Sequence, residues 1–307
     1  MCVANKRQLT HACAVVWLGA LFGLVVSNTA NAQANERTVS IGGAVTEILY
    51  ALGYDSRIAA IDTTSLYPSE ALKTKPNVGY MRALSVEGVL SVNPSLIVAS
   101  EGAGPPAALT ALQESGIRMV TVPDDKSPAG VQRKILIVGE LVGQRDAARK
   151  LADDVDARFV SLAAQRARIE KPKSILFVLS ASGGKTLVGG RGTSADAIIA
   201  LAGATNAAAS IEGFKPMSDE AIVGAAPDVV LMMRRENASA GDILATAAFA
   251  ATPAGKAHAL LQMDGNYLLG FGPRAPDAAR DLMAALYPEL KLPSPPRTDG
   301  VDLGHKQ

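Results

Sequence analysis

Two hydrophobic patterns take turns along most of this chain. Short runs of β-branched and apolar residues alternate with stretches whose apolar positions recur every three to four residues. The run at 38–41 opens onto Gly42-Gly43, and helical spacing over 46–52 stops at Gly53, a natural helix end. A strand is predicted at 57–62, a short helix at 86–90 broken by Pro94, and a buried strand at 96–99. A helix at 107–114 closes at Gly116, a strand follows at 118–122, and 127–143 is helical. Residues 144–170 hold no Gly or Pro and place Leu151, Val155, Phe159 and Leu162 on one face. That spacing predicts one helix of roughly seven turns, a rigid strut, stopped by Lys171-Pro172-Lys173. Beyond it come a strand at 174–179, a glycine-rich loop at 180–192 and a helix at 193–201. Thr193 or Ser194 is its N-cap, and Gly203 closes it.

The second half repeats the first. Ser85, Glu87 and Pro94 recur as Ser218, Glu220 and Pro227 at a constant offset of 133, and Leu96-Ile97-Val98 then matches Val229-Val230-Leu231. Strands alternating with helices argue for parallel sheets, and the repeat argues for two related lobes joined by the strut. The expected fold class is therefore α/β: two similar lobes with mostly parallel central sheets, one connecting helix, and a ligand cleft between the lobes. The expected boundaries are 35–143 and 171–292 for the lobes, 144–170 for the connecting helix and 293–307 for a polar tail.

Residues 1–34 read differently. Lys6 and Arg7 precede an apolar run at 12–26, and Ala30-Asn31-Ala32 and Ala32-Gln33-Ala34 offer small-residue cleavage sites. This is the pattern of a secretory signal peptide, too short for a transmembrane span. Both cysteines, Cys2 and Cys13, lie within it, so an oxidising compartment would form no disulfide in the remainder. Without the leader the chain carries 28 basic and 29 acidic side chains, a net charge of −1. That balance gives no footing for nucleic acid or an anionic membrane surface, and no later apolar run could cross a bilayer. A soluble exported protein is expected.

The candidate chemistry centres on the end of the strand at 57–62. Asp62-Thr63-Thr64-Ser65 leads to Tyr67, directly before Pro68, which biases Tyr67 toward extended angles and pushes its phenol out from the carboxyl end of a strand. Read locally, a tyrosine in such a loop more often only packs its ring. Gly183-Gly184-Lys185-Thr186 lacks the upstream glycine of a phosphate loop, Leu179 standing in its place. Gly189-Gly190-Arg191-Gly192 reads as a loop that lets backbone approach a flat ligand. There is no Gly-x-Ser-x-Gly and no histidine placed to serve a serine, which weakens a hydrolase reading. His258 reads as part of a solvated helix face and His305 as part of the tail. Two scattered histidines do not make a three-histidine zinc site. Met232-Met233 reads as strand end and cleft wall.

Four blocks carry a resemblance: Gly42-Gly43-x-x-Thr46-Glu47-Ile48, Asp62-Thr63-Thr64-Ser65-x-Tyr67-Pro68, Gly79-Tyr80-Met81-Arg82-Ala83-Leu84-Ser85 and Gly270-Phe271-Gly272-Pro273-Arg274. Together the chain resembles the periplasmic binding proteins of ABC importers, in the subgroup with two lobes and one connecting helix. Within that subgroup it is most similar to the haem carriers. The resemblance implies that Tyr67 is the ligand of ferric haem iron, which suits a hard anionic oxygen. It points to Arg234 as the partner of a haem propionate; Arg235, beside it at the strand's carboxyl end, and Arg82 and Arg191, in the two cleft-side loops, are further candidate cations by position. Relatives often carry a basic residue two positions after the tyrosine; here that position is Ser69. The resemblance also implies a periplasmic, monomeric, non-enzymatic carrier that docks on an inner-membrane permease and ATPase through acidic residues, Glu70 on one lobe and Glu220 or Glu212 on the other. Cobalamin or ferric-siderophore transport by the same subgroup, and an exported α/β hydrolase, are the alternative readings.

Overall fold

The computed structural model describes residues 36–182, 185–234 and 241–292. The leader, the polar tail, Gly183-Gly184 and Arg235 lie outside the described residues. Helices of five residues or more are numbered here.

The first lobe is built from β1 (Thr38–Ile41), α1 (Gly43–Ala51), β2 (Ile58–Ile61), α2 (Val86–Leu90), β3 (Leu96–Ser100), α3 (Pro106–Glu114), β4 (Arg118–Val122) and α4 (Pro128–Leu141). Its sheet is wholly parallel, in the order β2-β1-β3-β4. The two central strands are fully buried, so they read as unbroken apolar or small-residue runs. The strand order reverses between β1 and β3, and in open parallel sheets the crevice outside such a reversal receives ligands. Gly42 stands at that point with φ +106°, and a Cβ there would lie 2.6 Å from the Cβ of Ser100 at the end of β3. Only glycine fits.

The connecting helix α5 (Arg145–Arg166) has 22 residues, about 33 Å at 1.5 Å per residue. It ends short of Glu170: the amides of Ala167, Arg168 and Ile169 bond back over the last turn, with those of Arg168 and Ile169 reaching only three residues. Nor does it stand alone. Its buried face is Ala148, Ala152, Val155, Phe159 and Leu162, with Leu151 only half-buried at the edge. A Cβ on Gly139 of α4 would overlap Ala148, so this glycine lets the two helices lie close.

The second lobe contains β5 (Ser174–Ser182), β6 (Lys185–Gly189), α6 (Ser194–Leu201), β7 (Thr205–Asn206), β8 (Phe214–Met217), α7 (Asp219–Ala225), β9 (Val229–Met233), β10 (Leu260–Met263), α8 (Gly265–Leu269) and α9 (Ala275–Leu286), with three one-turn helices between β9 and β10. Its sheet runs β10-β9-β5-β6-β8, with β7 also on β5; β6 and β8 are antiparallel. The loop expected at 180–192 is thus largely strand. Thr186 and Val188 are buried while Lys185 is exposed, a strand alternation hidden among glycines. Those glycines serve internal packing. A Cβ on Gly189 would press on Ala195 and Phe177, and one on Gly190 would overlap the Ile211 carbonyl. His258 also departs from expectation: it is exposed just beyond the one-turn helix Pro253–Lys256, at φ +52°.

The repeat is visible in space. Ser85 caps α2 by accepting from the Gly88 amide at 3.1 Å, and Ser218 caps α7 by accepting from Ala221 at 3.2 Å. The strands that follow, β3 and β9, begin and end 133 residues apart. One apolar core runs through both lobes, from Val45, Ile48 and Val98 through Phe159 and Leu162 of α5 to Phe177, Ile198 and Leu282.

Candidate ligand site at the lobe junction

The loop after β2 is organised by one buried carboxylate. Asp62 Oδ1 accepts from the Gly42 amide (2.8 Å) and the Ser65 hydroxyl (2.9 Å). Its Oδ2 accepts from the Thr64 amide (2.9 Å) and hydroxyl (2.6 Å). Four donors on two oxygens fill the carboxylate's capacity and explain how a charge survives burial here. The hydroxyls continue the network: Thr46 lies 2.6 Å from Ser65 and 2.7 Å from Ser40, and the Gly43 amide donates to the Thr64 hydroxyl. The blocks around Gly42–Thr46 and Asp62–Ser65 are therefore two halves of one fastening that holds the tyrosine loop at the strand-order reversal.

Tyr67 leaves this loop half-buried, with a cis peptide bond to Pro68 rather than only the extended bias expected of a residue before proline. Its ring lies under a guanidinium: Cζ of Arg274 is 3.5 Å from the ring centroid. Arg274 comes from the other lobe, at the head of α9, and also lies 5.2 Å from the Tyr267 ring. Glu47 of α1 holds it, accepting from the Arg274 backbone amide at 3.0 Å and from Nη2 at 2.9 Å. Both side chains are largely buried. Gly272 leaves room for that carboxylate, since a Cβ would stand 3.1 Å from it. Behind Tyr267, whose hydroxyl donates to Asp281 at 2.8 Å, burial and that carboxylate push the phenol's acidity far down. Two further bonds cross the junction: Asn266 donates to the Thr64 carbonyl at 2.7 Å, and the buried Lys134 ammonium donates to the Phe271 carbonyl at 3.2 Å.

The other expected site residues are spread around this centre. Arg234 follows β9 at its carboxyl end and is exposed; its amide donates to the Met263 carbonyl. Arg82 is exposed in the turn after Tyr80, a segment tied to the tyrosine loop by the Thr63 amide bonding to Gly79. Arg191 is exposed and follows β6, which runs back from the carboxyl end of β5. Among the described residues, none of the three has an ion-pair partner. Met232 and Met233 are half-buried at the end of β9. Leu66 and Tyr80 are exposed apolar side chains, 52 % and 47 % accessible, flanking Tyr67 in the chain and in the adjoining turn. Lys73 is exposed on the one-turn helix Ala71–Thr74. The residue that sequence reasoning passed over is Arg274. It stands 227 positions from Glu47, so no local spacing announces the pair. No group of three or more His, Cys, Asp or Glu placed to hold a metal ion occurs among the described residues.

Comparison with known proteins agrees with this architecture. The family profile described as "Periplasmic binding protein" matches residues 39–267. The periplasmic heme-binding protein BhuT, solved in complex with two hemes, superposes with a TM-score of 0.79 and is 40 % identical, over 83 % of this chain and 99 % of that one. The periplasmic heme-binding protein RhuT from Roseiflexus sp. RS-1 gives 0.79 and 38 % over the same shares. An uncharacterized ABC transporter substrate-binding lipoprotein of Bacillus subtilis, YvrC, is 28 % identical over 83 % of this chain and 81 % of its own length. With a parallel four-stranded first lobe, a mixed second lobe and a helix joining them, the chain belongs to the periplasmic binding protein family.

Proposed function

We propose that this protein is an exported carrier that binds ferric haem in the cleft between its lobes, with the iron on the phenolate oxygen of Tyr67, and hands the haem to an ABC importer. The observation that carries the reading is the placement of Tyr67: a tyrosine on a loop fastened by Asp62 at the strand-order reversal, beside the second lobe and under a guanidinium. A hard oxygen donor suits ferric iron, and tyrosinate is a recognised axial ligand of haem. Ligation releases the phenol proton to solvent as the oxygen–iron bond forms. The exposed guanidinium of Arg234 takes a propionate, with Arg235 and Arg82 as further cations, whereas Arg191, carried by β6 toward the amino end of β5, is set apart from that edge; Leu66 and Tyr80 supply apolar cover for the porphyrin. The names of BhuT and RhuT support haem as the cargo.

Titrating the apo protein with hemin, followed by absorbance, tests this. The expected result is saturable uptake with a tyrosinate-type charge-transfer band, lost in Tyr67→Phe, while cyanocobalamin produces no change. Tyr67→Phe keeps nearly all the apolar area, so porphyrin contacts persist and the haem is released faster rather than refused. A protein that takes up no hemin would overturn the reading. Docking on the permease falls to Glu70 at the head of the helix Ala71–Thr74 and to Glu220 in the first turn of α7, both exposed. Reversing both charges should leave hemin uptake by the purified protein intact and slow transport into cells.

A further inference from the structure

The loop that carries Tyr67 is fastened largely from within its own lobe. Gly42, Thr64 and Ser65 donate to Asp62, and the Thr63 amide bonds to the Gly79 carbonyl. A further bond comes from the other lobe: the side-chain amide of Asn266, in the first turn of α8, donates to the Thr64 carbonyl at 2.7 Å. We propose that Asn266 is the positioning residue through which the second lobe sets the tyrosine loop, so that the grip on haem iron depends on how the lobes stand to each other. The inference rests on the reading of Tyr67 as the iron ligand and adds the link between that ligand and the far lobe.

Both sides of the contact are shaped for it. The Thr64 carbonyl also accepts from the amide of Leu66, the residue before Tyr67, at 2.9 Å. Its two lone pairs are thus shared between the turn that delivers the tyrosine and a donor from the other lobe. Gly43 keeps the space open: a Cβ there would lie 2.5 Å from the Thr64 oxygen and 3.0 Å from Nδ2 of Asn266. Gly43 opens α1 without the left-handed φ of Gly42, so its missing side chain answers to space and not to backbone angle. On the second lobe, Asp264 caps α8 by accepting from the Tyr267 amide at 2.8 Å. Gly265 seats that helix on the end of β9, where a Cβ would lie 2.7 Å from the Met233 sulfur. Met233 directly precedes Arg234, the proposed propionate partner.

The Asn266 bond therefore joins the two halves of the proposed site, the iron ligand on one lobe and the propionate cation on the other, through contiguous packed groups. A movement that parts the lobes breaks this bond and leaves those around Asp62 intact. The loop then keeps its base and loses its outer support, and the tyrosine is freer to leave the iron.

The test uses the full exported chain in two arms. The first, without haem, follows hydrogen–deuterium exchange over residues 61–70. Asn266→Leu, which keeps the shape and removes the donor, should speed exchange there about fivefold, the equivalent of one hydrogen bond. Asn266→Asp, which sets a carboxylate against the carbonyl, should speed it at least as much. Asn266→Gln, which keeps an amide donor, should exchange more slowly than Asn266→Leu. Gly203→Ala disturbs the second lobe beside the amino end of β5 and should leave the stretch unchanged. In the second arm, on hemin-loaded protein, Asn266→Leu should release haem to an acceptor protein about fivefold faster, and Gly203→Ala should not. Exchange over 61–70 that Asn266→Leu leaves unmoved, or that Gly203→Ala moves as much, would overturn the role of Asn266, as would an unchanged release rate. Tyr67→Phe keeps the two readings apart: a tyrosinate band that survives it removes Tyr67 from the iron, an outcome on which the haem-free arm does not depend.

Discussion

At the scale of single residues, this protein concentrates buried polar chemistry where its two lobes meet. Asp62 is the clearest case. Asparagine at 62 would keep one acceptor oxygen and turn an NH2 group toward donors, leaving two of four hydrogen bonds facing the wrong partner. A buried donor left unsatisfied costs about 1–3 kcal/mol. Asp62→Asn should therefore destabilise the apo protein by about that amount in urea unfolding, and should quicken haem release because the Tyr67 loop is no longer fastened. Tyr54 makes a separate prediction about pH. Its hydroxyl lies 3.1 Å from that of Thr38 under the first sheet, and burial pushes its pKa up from 10.0 to about 12. The folded state then holds a proton that the unfolded chain has released. Stability contributed by this group is complete below pH 10.0 and is lost as pH rises toward about 12. Tyr54→Phe should cost about 1 kcal/mol near neutrality through the lost hydrogen bond and should flatten the decline in stability over that alkaline window.

At the scale of elements, the helix ends carry the predictable energetics. Gly53 and Gly203 close α1 and α6 in the same way, at φ +67° and +77°, each followed by an amide that bonds five residues back. The sites differ in what surrounds them: a Cβ at 53 meets nothing, whereas one at 203 would overlap Ile169. Gly53→Ala should cost about 1 kcal/mol, the penalty of left-handed angles for an L-residue. Gly203→Ala should cost about 1–3 kcal/mol more, because Ile169 must be displaced from its packing. Denaturant midpoints of the two variants would check the difference. These ends were legible in the sequence, as were β1, β4 and the cap at Thr193, because glycine, threonine and alternating apolar residues act over a few positions. The β5–β6 hairpin was not: glycines masked a strand whose alternation is set by partners across the sheet. The end of α5 falls short of the expected one as well, since the chain tightens into three-residue bonds at Arg168 and Ile169 before any Gly or Pro marks a stop. The tyrosine loop could be located from Tyr67-Pro68. Its anchoring could not, for Asp62 meets Gly42 only once β1 and β2 pair within the first lobe, and Glu47 meets Arg274 only after the lobes assemble.

At the scale of the whole molecule, the two lobes are alike in plan and unlike in detail, one sheet wholly parallel and the other closed by an antiparallel hairpin. Polar ties besides α5 join them, among the described residues from Asn266, Phe271 and Arg274 of the second lobe to Thr64, Lys134 and Glu47 of the first. The continuous core through Phe159 and Leu162 has a thermodynamic counterpart. Each lobe has a small cluster of its own, around Ile41 and Ile97 in the first and Val178 and Val230 in the second, but the largest cluster is shared and uses α5 as a common wall. Melting one lobe would strip that wall and expose apolar surface of the other, which couples the two halves in unfolding. Differential scanning calorimetry of the apo protein should accordingly give a single endotherm whose calorimetric and van't Hoff enthalpies agree; two resolved endotherms would mean that the lobes melt independently. A carrier that melts as one unit offers a protease in its compartment no half-open form to cut, and is lost only when the whole chain unfolds.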